Sequence, residues 1–506
     1  MIRIGVKGAT LAIALALSAC SDGGVAPPEG SGQAGGPQQL RRDGRWLVDR
    51  DGRVVLMHGV NLVWKNAPFV PADTPAGFRA ADAAWLESHG FNSARIGVLW
   101  SGVSPQQGAI DASYLAAWDR IVQLLAAHRV WMLFDFHQDM LGPKYQGEGV
   151  PDWAVDALAG PATEALGAPT FGFPFNYFTP QVSEAFDNLW AEQGPIWDSH
   201  RDAWKAVAAR WKSQPYSMGY DLLNEPWPGI EWSSCIVPPM VGCGDTDTSE
   251  LQPFFENAIA GIRQVDRDNL VWLEPQTLSG GTGNPTGFEP IEGESQLGYS
   301  FHNYCGISTV LQSAQFPVPA PVVEEQGCEF IDGNVFDNAR SRGDALGAVE
   351  MLTEFGATDD PVVLERVTRL ADQHLVGWHY WQYKEWADPT TQSQDSGAQG
   401  IFADDEDLST AKLDKLKFLQ RTYPQATAGE PVSMTFDPET AQFDYTYKPH
   451  AATAPTEIYV PVALHYPAGY TVEVTGATVT SAANAPVLVL ENVAGATEVV
   501  VKVTRK

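Results

Sequence analysis

Two acidic residues close apolar runs that lie far apart in the chain. Glu225 stands in Tyr220-Asp221-Leu222-Leu223-Asn224-Glu225-Pro226, and Glu354 in Met351-Leu352-Thr353-Glu354-Phe355-Gly356. Two carboxyl groups held about 5 Å apart can carry out a double displacement at a sugar's anomeric carbon, one attacking while the other protonates the departing oxygen. Asn224, next to Glu225, adds an amide able to hydrogen-bond a sugar 2-hydroxyl as charge develops. On its own, Asn-Glu-Pro also fits a turn before a helix. Its pairing with a second acidic strand end, Thr-Glu-Phe-Gly, favours the catalytic reading.

Such groups need a scaffold that brings strand ends together. Eight short apolar runs rich in β-branched and aromatic residues occur at 54–61, 93–98, 130–137, 218–225, 270–275, 296–304, 348–356 and 374–383. Most alternate with helical patterns; Ser113–Val130 sets Leu115, Trp118, Ile121, Leu124 and Leu125 on one helix face. The alternation predicts an α/β fold, a (β/α)₈ TIM barrel. A doubly wound open sheet would alternate too, but no Gly-rich phosphate fingerprint follows the first run. In a barrel the chemistry sits at the C-terminal strand ends. Here they read Asn61, Arg95, Asp135 with His137, Asn224 with Glu225, Glu274, His302 with Tyr304, Glu354 and Trp381.

Beyond about residue 430 the texture changes to short strands near 443–447, 457–462, 470–474, 486–490 and 499–503. This predicts a catalytic barrel over 41–425 and an all-β sandwich over 426–506. All 17 Trp lie between Trp46 and Trp386, so the second domain lacks Trp platforms and reads as structural packing, with sugar binding as the alternative.

At these residues the chain resembles glycoside hydrolase family 5 across most of 46–386. The resemblance implies Glu225 as acid/base and Glu354 as nucleophile, with Arg95 supporting the nucleophile and His137, His302 and Tyr304 contacting substrate or nucleophile. Trp381, in His379-Tyr380-Trp381-Gln382-Tyr383, resembles the indole that floors the sugar subsite, where a flat apolar face suits C–H groups. A finer resemblance is to endoglycoceramidases, which release an intact oligosaccharide from ceramide. It rests on His58-Gly59-Val60-Asn61 with Lys65, Asp135 to Asp139 with Pro151-Asp152-Trp153-Ala154, Leu222 to Gly229, and Thr353 to Thr358. It implies that Lys65 and Asp135 bind hydroxyls of the first sugar; a supporting salt bridge is the rival for each. A β-glucosidase on glucosylceramide or sterol glucosides, an endo-glucanase, and a non-catalytic surface glycan- or glycolipid-binding protein are the other readings.

Residues 138–180 form a connection far longer than the ~2–6 residues usual for a βα loop. They include Phe171-Gly172-Phe173-Pro174-Phe175-Asn176-Tyr177-Phe178, a cluster that either lines an apolar groove for lipid tails or packs against the barrel.

The 506 residues are 44% hydrophobic and 19% charged, enough to bury a large core. A net charge of −30 opposes binding to nucleic acid or an anionic membrane surface. Residues 1–20 carry Arg3 and Lys7, a short apolar run and Leu17-Ser18-Ala19-Cys20, an export signal ending like a bacterial lipoprotein's. Cys20 is therefore expected as a lipid anchor, giving membrane association at the cell envelope; an ordinary signal would give a secreted protein. Residues 21–40, with six Gly and three Pro, read as a flexible tether. The remaining Cys235, Cys243, Cys305 and Cys328 are even in number in an oxidising compartment. Local pairing suggests Cys235–Cys243 and Cys305–Cys328, and without a C-x-x-C pair a metal site is the weaker reading. A monomer is expected, and the double displacement requires neither metal nor organic cofactor.

Overall fold

A computed structural model describes residues 40–236, 241–306, 321–390 and 397–506. The expected signal, the anchor Cys20 and residues 21–39 of the tether lie outside them, while Leu40 is buried in a hydrophobic cluster.

Eight parallel strands close into a barrel: β1 (His58–Leu62), β2 (Ser93–Gly97), β3 (Trp131–Asp135), β4 (Ser217–Asp221), β5 (Val271–Leu273), β6 (Leu297–Asn303), β7 (Val349–Gly356) and β8 (Trp378–Trp381). All eight are the runs read from the sequence. The helix Ala112–Ala127 shows why the pattern was legible. Asp111 caps it by accepting from the Ser113 and Tyr114 amides, while Leu115, Trp118, Ile121 and Leu125 face the core.

Two irregularities aim the strand ends. In β4 the pairing with β3 slips a residue between Ser217 and Gly219. Gly219 has φ +97, and a Cβ there would lie 1.9 Å from the Leu270 carbonyl oxygen, so no larger residue fits. In β7 the pairing with β6 slips between Leu352 and Glu354, which sets Glu354 opposite His302. Because side chains alternate along a strand, a one-residue slip reverses the facing of everything after it.

The second domain begins differently from the expected division at 425/426. Arg41–Asp43, Trp46–Val48 and Val54–Val55 do not belong to the barrel. They form one seven-stranded antiparallel sheet with Tyr423–Thr427, Thr456–Tyr459, Val487–Asn492 and Ala477–Val479. Val54 and Val55 pair with Thr427 and Ala426, so the run at 54–61 is split between two sheets. A four-stranded sheet of Gly429–Asp437, Gln442–Pro449, Val499–Arg505 and Tyr470–Thr475 packs on the seven-stranded one. Phe436, Phe443, Tyr445, Ile458, Leu490 and Val501 share their core. The domains are locked by Arg421, buried on Asp372 of a barrel helix, and by Tyr423, whose ring stacks on His58 at 3.7 Å.

The long connection between β3 and β4 carries helices of its own, including Asp152–Leu158, Pro180–Ala191 and Pro195–Trp211. Its aromatic cluster divides. Tyr177 is buried and stacks on Trp227 at 5.1 Å, whereas Phe171 is 74% exposed, and Phe175 and Phe178 are partly so.

Candidate active site

Arg95, at the middle of β2, is fully buried and organises the floor of the barrel mouth. Its guanidinium reaches Asp135 at 3.0 Å, Asp221 at 2.9 Å, Glu274 at 3.3 Å and Glu354 at 3.2 Å, and donates to Asn224 Oδ1 at 2.9 Å. Burial alone would disfavour its charge, but these carboxylates overcome that and raise its pKa further. One planar fork thus fixes residues from β3, β4, β5 and β7.

Glu354 has both oxygens engaged. Arg95 donates to Oε2, and the Tyr304 hydroxyl donates to Oε1 at 2.9 Å. Burial raises its pKa, with Glu225 acting in the same sense, while His302 and Arg95 oppose the rise. Burial raises the pKa of Tyr304 well above its ordinary value, and neighbouring Glu354 adds to this, so its proton stays available for donation.

Glu225 follows β4 with φ +41, a left-handed backbone unusual for a side chain of this type. Gln138 donates to the carbonyls of Asn224 and Glu225 at 2.8 and 3.1 Å, and Asn224 Nδ2 donates back to the Gln138 carbonyl at 2.9 Å. Glu274 accepts from the Glu225 amide at 2.8 Å. His302 Nδ1 lies 2.9 Å from Glu225 Oε1, and burial holds this imidazole neutral, with a pKa of about 3. Burial, assisted by Asp139, pushes the Glu225 carboxyl up to about 7. An oxygen of Glu225, an oxygen of Glu354 and a His302 ring nitrogen all lie within 4.8 Å of one another.

A second cluster borders the first. Lys65 Nζ lies 2.5 Å from Asp139, 3.3 Å from Asp388 and 3.4 Å from Glu148, donates to Thr390 at 2.8 Å, and sits 4.6 Å from the Trp381 ring centroid. His137 stacks beside Trp381 and contacts Asp135 through Nδ1 at 2.9 Å. Trp381 is only 2% exposed, its indole N–H donating to Gln399 at 3.0 Å. Its floor is a closed wall packed by Lys65 and His137 rather than a broad open platform.

The structure gathers every residue expected at the mouth, but two change place. Asp135 is fully buried between Arg95 and His137, so it supports those groups and presents no oxygen to a sugar. Lys65 lies in a cage of carboxylates, the supporting-bridge alternative, with Asp139 as its partner. Sequence reading gave no role to Gln138, Asp139 or Asp221, and placed Glu274 at a strand end without assigning it one. Glu274 had a signal in its position at the end of β5. Gln138 and Asp139 had none, because only the β3–β4 connection folding back places them.

Among the described residues, two groups of side chains have metal-like spacing, His137–Asp139–Glu148 and Glu225–His302–Glu354. In the first the Lys65 ammonium already supplies the cation; in the second Arg95 and Tyr304 already engage Glu354. Disulfides Cys235–Cys243 and Cys305–Cys328 tie down the segments after β4 and β6, and Cys305 directly follows Tyr304.

Carboxyl groups at this spacing and at the C-terminal end of a (β/α)₈ barrel define a glycoside hydrolase of the double-displacement type. The chain belongs to glycoside hydrolase family 5: residues 48–386 match the cellulase (glycosyl hydrolase family 5) model and residues 421–504 the family 5 C-terminal domain. Within the family it is similar to Endoglycoceramidase I of Rhodococcus hoagii (strain 103S), 33% identical over 92% of this chain and 88% of that one. Endoglycoceramidase of Hydra vulgaris is 28% identical over 85% and 81% of the two chains. The solved structure of endo-glycoceramidase II from Rhodococcus sp. in complex with ganglioside GM3 superposes with a TM-score of 0.73 at 25% identity, covering 91% of this chain and 99% of that one.

Proposed function

We propose that the chain is a retaining endo-β-glycosidase that hydrolyses the bond between oligosaccharide and ceramide in glycosphingolipids. The observation that carries this reading is the approach of the Glu225 and Glu354 oxygens to within 4.8 Å. An inverting site, which must seat a water between its carboxyls, would hold them roughly 6.5–9.5 Å apart.

In the first step ionised Glu354 attacks the anomeric carbon while protonated Glu225 gives its proton to the leaving ceramide oxygen, leaving a glycosyl ester on Glu354. In the second, Glu225 takes a proton from water, the hydroxide carbon–oxygen bond forms, and the ester breaks to release the sugar and regenerate both groups. The raised pKa of Glu225 suits the acid role, and the donors on both Glu354 oxygens suit a carboxylate held in one orientation. Asn224 is oriented by Arg95 and the Gln138 carbonyl beside the reacting centre. Phe171, Phe175 and Phe178 are exposed, and Phe178 meets the indole of Trp227, which follows Glu225 closely, edge-on at 4.9 Å. These rings suit the ceramide side. The lipoprotein-like Leu17-Ser18-Ala19-Cys20 supports anchoring at the cell envelope, which labelling with a radioactive fatty acid would test.

The deciding experiment incubates the purified chain with a panel of glycosphingolipids and weighs the products. Intact oligosaccharide plus ceramide supports the proposal. Free glucose from glucosylceramide or sterol glucosides, or short glucans from a polysaccharide, would replace it by one of the other enzyme readings. Ligand affinity that survives replacement of either Glu, with no hydrolysis by the native chain, would indicate a binding protein.

A further inference from the structure

We propose that Glu274 is a positioning residue for Glu225, holding its peptide and, across His302, coupling its own proton to that of the acid/base. This rests on the assignment of Glu225 made above. Glu225 occupies a left-handed backbone that needs outside support. Gln138 holds its carbonyl and Glu274 Oε1 accepts its N–H at 2.8 Å. The same Glu274 oxygen lies 3.4 Å from His302 Nε2, while the other ring nitrogen, Nδ1, lies 2.9 Å from Glu225.

A neutral imidazole has one N–H and one acceptor nitrogen. When Glu274 is ionised, its charge 3.4 Å from Nε2 favours the tautomer with the N–H there and leaves Nδ1 to accept the proton of Glu225. When Glu274 is protonated the preference reverses, and Nδ1–H donates to a Glu225 carboxylate. The two acids are thereby linked through one ring. Arg95, Asp135 and Asp221 face Glu274 from β2, β3 and β4, Glu225 from beyond β4, and His302 from β6. Glu225 is further faced by Lys65, His137 and Asp139 at the mouth and by Glu354 from β7. Burial, then Asp221, raises the pKa of Glu274 well above its ordinary value, so it can carry a proton where an exposed glutamate would not.

The test compares Glu274→Gln and Glu225→Gln on two substrates. Lactosylceramide in detergent needs its leaving oxygen protonated, whereas 2,4-dinitrophenyl β-lactoside does not. Glu274→Gln keeps an oxygen for the Glu225 amide. We expect its kcat/KM on lactosylceramide to fall roughly 10–100-fold while that on the activated lactoside changes less than about threefold. The high-pH limb of its profile should move to lower pH, because the negative charge of ionised Glu274, which disfavours Glu225 ionisation, is gone. Glu274→Asp, keeping the charge with a shorter reach, should return the limb towards the native position while the lactosylceramide loss persists.

Equal losses on both substrates with an unmoved limb, or no change at all, overturn the proposal in favour of a packing role. So does failure of both Glu274 variants to fold, judged by circular dichroism. If Glu225→Gln itself shows no dependence on the leaving group, the acid/base assignment fails first and the proposal falls with it.

Discussion

Carboxylate oxygens of Glu225, beyond β4, and Glu354, in β7, lie within 4.8 Å of each other, with His302 Nδ1 2.9 Å from the first and 4.0 Å from the second. Replacing Glu354 by Gln keeps the shape and removes the nucleophile. Turnover should fall by about 10⁴-fold or more with the melting transition retained. Native-level hydrolysis by a preparation free of wild-type protein would remove Glu354 from that role. The first-formed product anomer, followed by NMR, should retain the β configuration.

The pH profile of kcat/KM should have its alkaline limb near pH 7. Burial, reinforced by Asp139, puts the Glu225 carboxyl at about 7, and only its protonated form can act as the acid. Activity is therefore present below that value and lost as pH rises through it. The acid limb belongs to Glu354, which must be ionised, and whose burial moves that limb above the usual carboxylate range. Glu225→Gln should abolish the alkaline limb; an unchanged limb would assign it to another group.

Arg95→Leu should cost about 3–5 kcal/mol of stability, because it strands buried carboxylates from four strands without their cation. Denaturant unfolding measures this directly. A variant as stable as the native chain would show that those acids simply take up protons.

Tyr304→Phe removes one hydrogen bond, the donation to Glu354 Oε1 at 2.9 Å. The bond contributes about 1.5–3 kcal/mol to folding, so unfolding should shift by that order; as charge leaves Glu354 and returns to it through the reaction, loss of this orienting donor should also lower kcat, by roughly 10-fold or more. An unaltered kcat would show that Arg95 alone fixes the nucleophile.

Removing Cys305–Cys328 by a double Cys→Ser change should destabilise the chain by about 3 kcal/mol. Because Cys305 adjoins Tyr304, kcat should fall as well. Loss of stability with full kcat would separate the staple from the site.

Much of this was legible in the linear chain. Eight apolar runs gave eight barrel strands because buried parallel strands need near-continuous apolar residues whatever their neighbours. Strand-end chemistry was legible for a similar reason: a barrel has one active end, so polar residues closing apolar runs collect there. The second domain was read less completely. Arg41–Asp43 and Trp46–Val48 are too short to show a period, and their partners lie at the far end of the chain.

By itself the sequence determined the barrel, the pair Glu225 and Glu354, and the ring of Arg95, Asn224, His302 and Tyr304, since all follow from residue type and position along a strand. Only the tertiary structure decided that Asp135 is sealed behind Arg95, that Asp139 partners Lys65, and that Glu274 grips the Glu225 backbone. The physical reason is that burial and charge pairing depend on which side chains face each other across the mouth. Register slips in β4 and β7 and the fold of the β3–β4 connection set that facing, and no local pattern of residues encodes it.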